Sequence, residues 1–153
     1  MWKYQFCNFD KLNIYCNEVR KLGFKIQKPD INTSDVNFVV NYDQDKNPLG
    51  IIFGLSAIKN IGEHSILELV KERKRNGSYK NLDDLLKRIS NSVLNKKVIE
   101  ALIFSNSLKS IEKNQKFLCD NLNKILSYNT NFHKNFHENQ NNLFPEHDDL
   151  NEY

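Results

Sequence analysis

No stretch of this 153-residue chain holds the ~18 to 20 consecutive apolar residues that a bilayer-crossing helix needs, so no membrane partner is expected. Its first residues do not read as a charged region followed by an apolar run and a small-residue cleavage site, and the expected location is the cytoplasm. Cysteine is scarce. Cys7, Cys16 and Cys119 are odd in number, far apart and free of any CxxC pair, which signals neither a disulfide framework nor a zinc site. Of the four histidines, His133 and His137 stand at i, i+4 spacing but lack an evident third ligand, so no metal is expected. Adjacent carboxylates occur only at Asp83-Asp84, which reads as the acidic first turn of a helix, and at Asp148-Asp149 near the end of the chain.

What the chain does have is an uneven distribution of charge. The formal net charge of +3 conceals a middle stretch, residues 59–116, with 13 Lys and Arg against 7 Asp and Glu. Residues 117–153 reverse the balance with 2 against 6. A locally basic stretch between a near-neutral head and an acidic tail suits a polyanion-binding surface, and a solvated helix face would carry the same run.

The apolar spacing predicts a mainly α protein with a small β-hairpin. Leu12, Tyr15, Cys16, Val19 and Leu22 share one face of a helix from Asp10 to Leu22, with Gly23 as its stop. Phe24 to Ile26 reads as a short strand and Lys28-Pro29-Asp30-Ile31-Asn32 as an irregular connection, because proline removes a donor and disfavours helix before it. Phe38 to Val40 and Leu49 to Phe53 flank a turn-rich stretch and form the hairpin. Helices then follow at Leu55 to Lys59, Glu63 to Arg75, Leu82 to Ile89 with Asn81 as cap, Lys96 to Phe104 with Asn95 as cap, and about Lys113 to Leu126. Beyond Tyr128 the residues turn to Asn, His, Asp and Glu, and a disordered tail is expected. The expected units are 1–54, the helix and hairpin; 55–127, a tandem helix-hairpin-helix-like module; and 128–153, the tail.

The most informative stretch runs from Leu55 to Val70. A tight turn at Asn60-Ile61-Gly62 would place successive N–H groups at the start of the following helix, where nothing within the helix accepts from them and the dipole favours an anion. Gly62 would tolerate positive φ and leave room for a phosphodiester, and Asn60 is the next most tolerant type for left-handed geometry. Lys59, Lys71, Arg73, Lys74 and Arg75 would add nonspecific attraction, while Glu63 complements the dipole. An ordinary corner between two helices with glycine at the bend would give the same spacing.

Several blocks in order carry a resemblance. Val19-Arg20-Lys21-Leu22-Gly23, then Lys28-Pro29-Asp30-Ile31-Asn32, then Phe53 to Glu63, then Leu94 to Ile103 together resemble the region between the fingers and the clamp-binding part of the alpha subunit of bacterial DNA polymerase III. The resemblance implies a tandem helix-hairpin-helix that grips duplex DNA through phosphates behind the polymerase site. Its implied DNA-contact residues are Lys59, Asn60, Ile61, Gly62, His64 and Ser65 in the first unit and Asn106, Ser107 and Lys109 in the second. Asn60 stands for the family's usual glycine, and Ser105-Asn106-Ser107 for its Ala-Gly-Ala turn. Gln140-Asn141-Asn142-Leu143-Phe144 is similar to the short peptide by which the family docks on the beta sliding clamp, with Gln140, Leu143 and Phe144 as anchors.

The family's palm carboxylates, which hold Mg2+ for nucleotidyl transfer, have no counterpart here, so the chain is expected to be a non-catalytic fragment without its own cofactor. Besides duplex DNA, the implied partners are the beta clamp and the remaining polymerase III subunits. Two other possibilities stay open: a clamp-interaction peptide displayed on a small folded domain, and an inert remnant of a split gene.

Overall fold

The computed structural model describes residues 9–142. Six helices and one small sheet follow the expected mainly α order: α1 (Phe9–Lys21), β1 (Lys25–Gln27), β2 (Val39–Tyr42), β3 (Pro48–Ile52), α2 (Glu63–Asn76), α3 (Leu82–Arg88), α4 (Lys96–Phe104), α5 (Gln115–Asp120) and α6 (Leu122–Asn142). Gly23, at φ 86°, ends α1 as its sequence position implies. β2 and β3 form the antiparallel hairpin, and β1 adds to β3 in parallel, giving the order β1-β3-β2. A side chain at Gly50 would overlap the carbonyl of Lys25 on β1, so the tight parallel pairing requires glycine there.

The core lies among the helices. Leu55, Ile66, Leu69, Leu85, Leu94 and Leu102 are fully buried within it, at spacings that place one face of each helix inward. The stretch between β1 and β2 joins this core, since Ile31 is buried among the helices. Its irregular backbone is tied to the helices by hydrogen bonds. Ile31 N–H donates to the Ser107 carbonyl at 2.8 Å and its own carbonyl accepts from Arg73 Nη1 at 2.7 Å. Asn32 closes a two-way amide bridge with Tyr79, its Nδ2 donating to the Tyr79 carbonyl at 2.9 Å and its Oδ1 accepting from Tyr79 N at 2.8 Å. Ser110 Oγ donates to Asp30 Oδ1 at 2.8 Å. The block Asp30-Ile31-Asn32 is therefore a strut that ties α2, the loop before α3 and the turn after α4 together.

Three expectations are corrected. The helix expected from Leu55 to Lys59 is a single 3-10 turn, Leu55–Ala57, because the backbone already turns extended at Ile58, φ −82° and ψ 122°. The helix expected from Lys113 to Leu126 is two, broken at Asn121, whose Nδ2 donates back to the Phe117 carbonyl at 2.9 Å. The expected disorder beyond Tyr128 does not begin there, since α6 runs on to Asn142. Asn129 Nδ2 donates to the carbonyls of Leu86 and Ile89 at 2.7 and 3.1 Å, and His133 Nε2 lies 3.0 Å from both. Polar side chains thus satisfy the last carbonyls of α3 and hold α6 against it.

Acid should loosen this body. The Lys74 ammonium beside Asp35 holds that carboxyl below its usual 3.8, the Lys80 N–H does the same for Asp84, and Lys87 for Asp83. Their contribution to stability is complete above the ordinary value and is lost as pH falls through the depressed folded values. Urea midpoints are therefore expected to hold level from pH 7 to about 5 and to drop below pH 3.8. A midpoint that rises on acidification would contradict these contacts.

Candidate nucleic-acid interface

The first bend is built from the strand end outward. Gly54 lets the chain pass against the Val36–Asn37 backbone, where a Cβ would clash. Leu55 N–H and Ser56 N–H then donate to the carbonyls of Asp35 and Val36 at 2.9 and 3.1 Å, which fixes where the 3-10 turn begins. Leu55 and Ile58 are buried and anchor its inner side. Asn60 takes the left-handed conformation, φ 68°, the geometry expected of it, and is exposed. Ile61 packs its side chain against the core.

Gly62 is the N-cap of α2 at φ −70° and ψ 148°, an extended conformation open to any residue. Its expected left-handed role is thus corrected, and the left-handed position is Asn60 alone. What glycine does supply at 62 is space, because a Cβ there would meet nothing within 4 Å. The first backbone bond of α2 is donated by Ile66 N–H to the Gly62 carbonyl at 3.2 Å. Among the described residues, the N–H groups of Glu63, His64 and Ser65 find no protein acceptor. Gly62, Glu63 and His64 are exposed. The main-chain donors of Glu63 and His64 therefore open onto the surface at the positive end of a 14-residue helix, and that of the buried Ser65 lies directly behind them in the same first turn.

The side chains divide differently from their sequence pattern. Ser65 is buried and its Oγ donates to the Val93 carbonyl at 3.2 Å, so only its main-chain N–H belongs to the bend. Arg73 points inward to the Ile31 carbonyl, Lys74 is held by Asp35 at 2.8 Å, and Lys71 lies 3.9 Å from Glu68. With Arg75, they sit roughly 13 to 20 Å along the helix from Gly62. There Arg73, Lys74 and Arg75 complement the negative end of the dipole. Lys59 stays beside the bend.

A cation overlooked in the sequence joins Lys59. Lys97, exposed in the first turn of α4, lines a cleft of about 760 Å³ with Lys59, Asn60 and Phe104. Its signal was a lysine pair, Lys96-Lys97, just inside a helix start, where the dipole disfavours positive charge.

The second bend is of another kind. Asn106 is again left-handed, φ 59°, but its N–H donates to Ile103 at 2.9 Å and that of Ser107 to Leu102 at 3.0 Å. This is the Schellman pattern that closes the end of α4. Lys109 N–H also has a protein acceptor, Asn106, at 3.4 Å, and Ser107 is fully buried, its hydroxyl 2.6 Å from that of Ser105. The main-chain donors of Asn106, Ser107 and Lys109 are thus spent inside the protein, unlike those of the first bend. The Lys109 side chain remains exposed.

Other candidate sites resolve locally. Asp83 pairs with Lys87 at 2.8 Å and accepts from Tyr128, and Asp84 accepts from Lys80 N and Arg88. Among the described residues no three His, Cys, Asp or Glu gather as a metal site, and no helix is long and apolar enough to cross a membrane. Gln140 lies within α6, where the clamp peptide was expected to be extended, and Leu143 and Phe144 lie outside the described residues.

Residues 23–118 match the model of a family described as helix-hairpin-helix motif. Among curated proteins, the chain is 35% identical over 137 residues to DNA polymerase III subunit alpha of Borreliella burgdorferi, covering 90% of this chain and 11% of the relative. The same subunit of Buchnera aphidicola from Schizaphis graminum is 41% identical over 111 residues, 72% of this chain and 9% of the relative. That of Thermus aquaticus is 38% identical over 99 residues, 65% and 8%. The chain spans about a tenth of the length of these relatives.

Proposed function

Because this chain belongs to the helix-hairpin-helix family, we propose that it binds duplex DNA without sequence preference, seating a backbone phosphate on the bend before α2. The observation that carries the proposal is the trio of acceptorless N–H groups at Glu63, His64 and Ser65 beneath an open Gly62. Phosphate oxygens are the acceptors such a helix start suits best, and charge-assisted bonds of this kind are about twice as strong as neutral ones. Lys59 and Lys97 add attraction from one side, and the exposed Lys109 adds charge near the second bend.

The setting is replication, as part of a DNA polymerase III alpha subunit. The carboxylates and divalent metals of nucleotidyl transfer would then lie outside this chain, which acts only to hold the duplex. Docking on the sliding clamp would fall to Leu143 and Phe144 and would require Gln140 to leave the helix.

Titrating a short duplex against the full chain at several salt concentrations tests the proposal. Each neutralised phosphate contributes roughly 0.9 to the log-log slope, so a small surface of this kind should show a slope of about −2 to −4. No binding at low salt, or affinity indifferent to salt, would refute it.

A further inference from the structure

Next to the bend, the cleft between the first hairpin and α4 has a character the duplex does not require. Phe104 closes one side with 72% of its surface exposed, although it follows five buried positions of the same helix. Phe53 lines the cleft as well, its ring braced edge-on against Phe38 at 4.8 Å. Lys59 and Lys97 supply positive charge, and the Glu100 carboxylate on the same wall is balanced by Lys96 at 3.9 Å. A volume of about 760 Å³ lies within the ~300 to 1,000 Å³ usual for ligand sites.

We propose that this cleft takes unpaired nucleotides of a DNA strand that continues from the bound duplex, one base stacking on Phe104 while Lys59 and Lys97 meet the adjoining phosphates. Charge complementarity selects a polyanion over an apolar peptide. The exposed ring selects unpaired bases, because a base inside a duplex already has both faces stacked, whereas aromatic platforms flanked by cations hold single strands by stacking and backbone attraction. Lys59 and Asn60 belong to both the bend and the cleft, so a strand anchored at one leads directly into the other. The inference extends the duplex-binding proposal and relies on it for the strand's direction of approach.

Fluorescence anisotropy on the full chain separates the two. Three labelled probes are needed: a blunt duplex, the same duplex with a short oligo(dT) overhang, and oligo(dT) alone. The overhang is expected to bind about tenfold more tightly than the blunt duplex. Phe104→Ala should remove that gain and leave the blunt duplex unchanged, while Phe104→Tyr keeps it. Phe104 is exposed, so neither variant disturbs the core. Equal affinity for blunt and overhanging probes, or an equal loss on both with Phe104→Ala, overturns the inference and leaves the cleft to a protein segment. If the blunt duplex fails to bind while oligo(dT) binds in a Phe104-dependent way, duplex binding is refuted and the cleft's role stands. If no probe binds, both are refuted.

Discussion

Replacing Gly62 with aspartate is expected to strengthen the fold slightly while removing most of the affinity for duplex DNA. Aspartate is a strong N-cap residue, and its carboxylate would accept from the N–H groups that now open onto the surface. Its charge also suits the positive end of α2. No atom stands within 4 Å of the place its Cβ would occupy, and the backbone there is already extended, so nothing opposes the substitution sterically. The gain should amount to a few tenths to about 1 kcal/mol. The phosphate meets the opposite outcome, since its donors are occupied and a like charge stands in its seat. Losing hydrogen bonds to a charged group, at about 1.5 to 3 kcal/mol each, corresponds to a fall of roughly 10- to 100-fold or more. Thermal melting and duplex titration on the same preparation check both signs together. A variant that melts higher and binds DNA as well as wild type would mean that phosphate is held elsewhere.

Arg88→Met should give the largest loss of stability of any single change away from the apolar core. The Arg88 side chain, only 15% exposed, stacks over the Tyr79 ring at 4.5 Å. Nε donates to Glu72 at 3.1 Å, Nη1 to Asp84 at 3.1 Å, and Nη2 to the carbonyls of Gly77 and Glu72 at 2.8 and 3.2 Å. One guanidinium therefore closes the turn between α2 and α3 by serving both helices and the loop joining them. Methionine would keep the packing volume but take the cation away from two half-buried carboxylates, leaving Glu72 with Asn76 Nδ2 and Asp84 with the Lys80 N–H, and would remove the guanidinium's bonds to the carbonyls of Gly77 and Glu72. Breaking a well-buried ion pair costs about 3 to 5 kcal/mol, and the partial exposure here lowers the expectation to roughly 2 to 3 kcal/mol, or some 5 to 10 °C in Tm. Arg88→Lys should be nearly as damaging, because an ammonium cannot span the fork. Wild-type melting of the lysine variant would show that charge alone, not the planar geometry, holds this turn.

The parts of this fold written most plainly in the sequence are those governed by a repeat or a cap. Asn81 and Asn95 accept from the N–H groups of Asp84 and Val98, as their places before apolar periodic runs imply. The left-handed Asn60 was equally visible, being the substitute that positive φ tolerates best. Long-range polar contacts were not visible. α6 presents Asn129 and His133 to the end of α3, and residues of that kind read as tail when apolar spacing is the only guide. Asp30-Ile31-Asn32 looked like a mere connection because its partners, Ser107, Tyr79, Arg73 and Ser110, lie about 40 to 80 residues away.

The two bends show the same limit within the site itself. Both place a left-handed asparagine after apolar helical residues, and the residue pattern treats them as equivalent. They differ in where the next N–H groups point. After Asn60 the chain starts a 14-residue helix whose first donors are open, whereas after Asn106 it makes only a turn whose donors fold back onto α4. Backbone direction, not residue type, separates a bend with open donors from a helix cap.

Amide chemical shifts of the 15N-labelled chain, followed while a short duplex is added at low salt, probe the main-chain donors individually. The largest changes should fall on Glu63, His64 and Ser65, with those of Asn106 and Ser107 small by comparison. If Glu63, His64 and Ser65 stay unmoved at saturating duplex, the bend before α2 holds no phosphate and DNA contact must be assigned elsewhere.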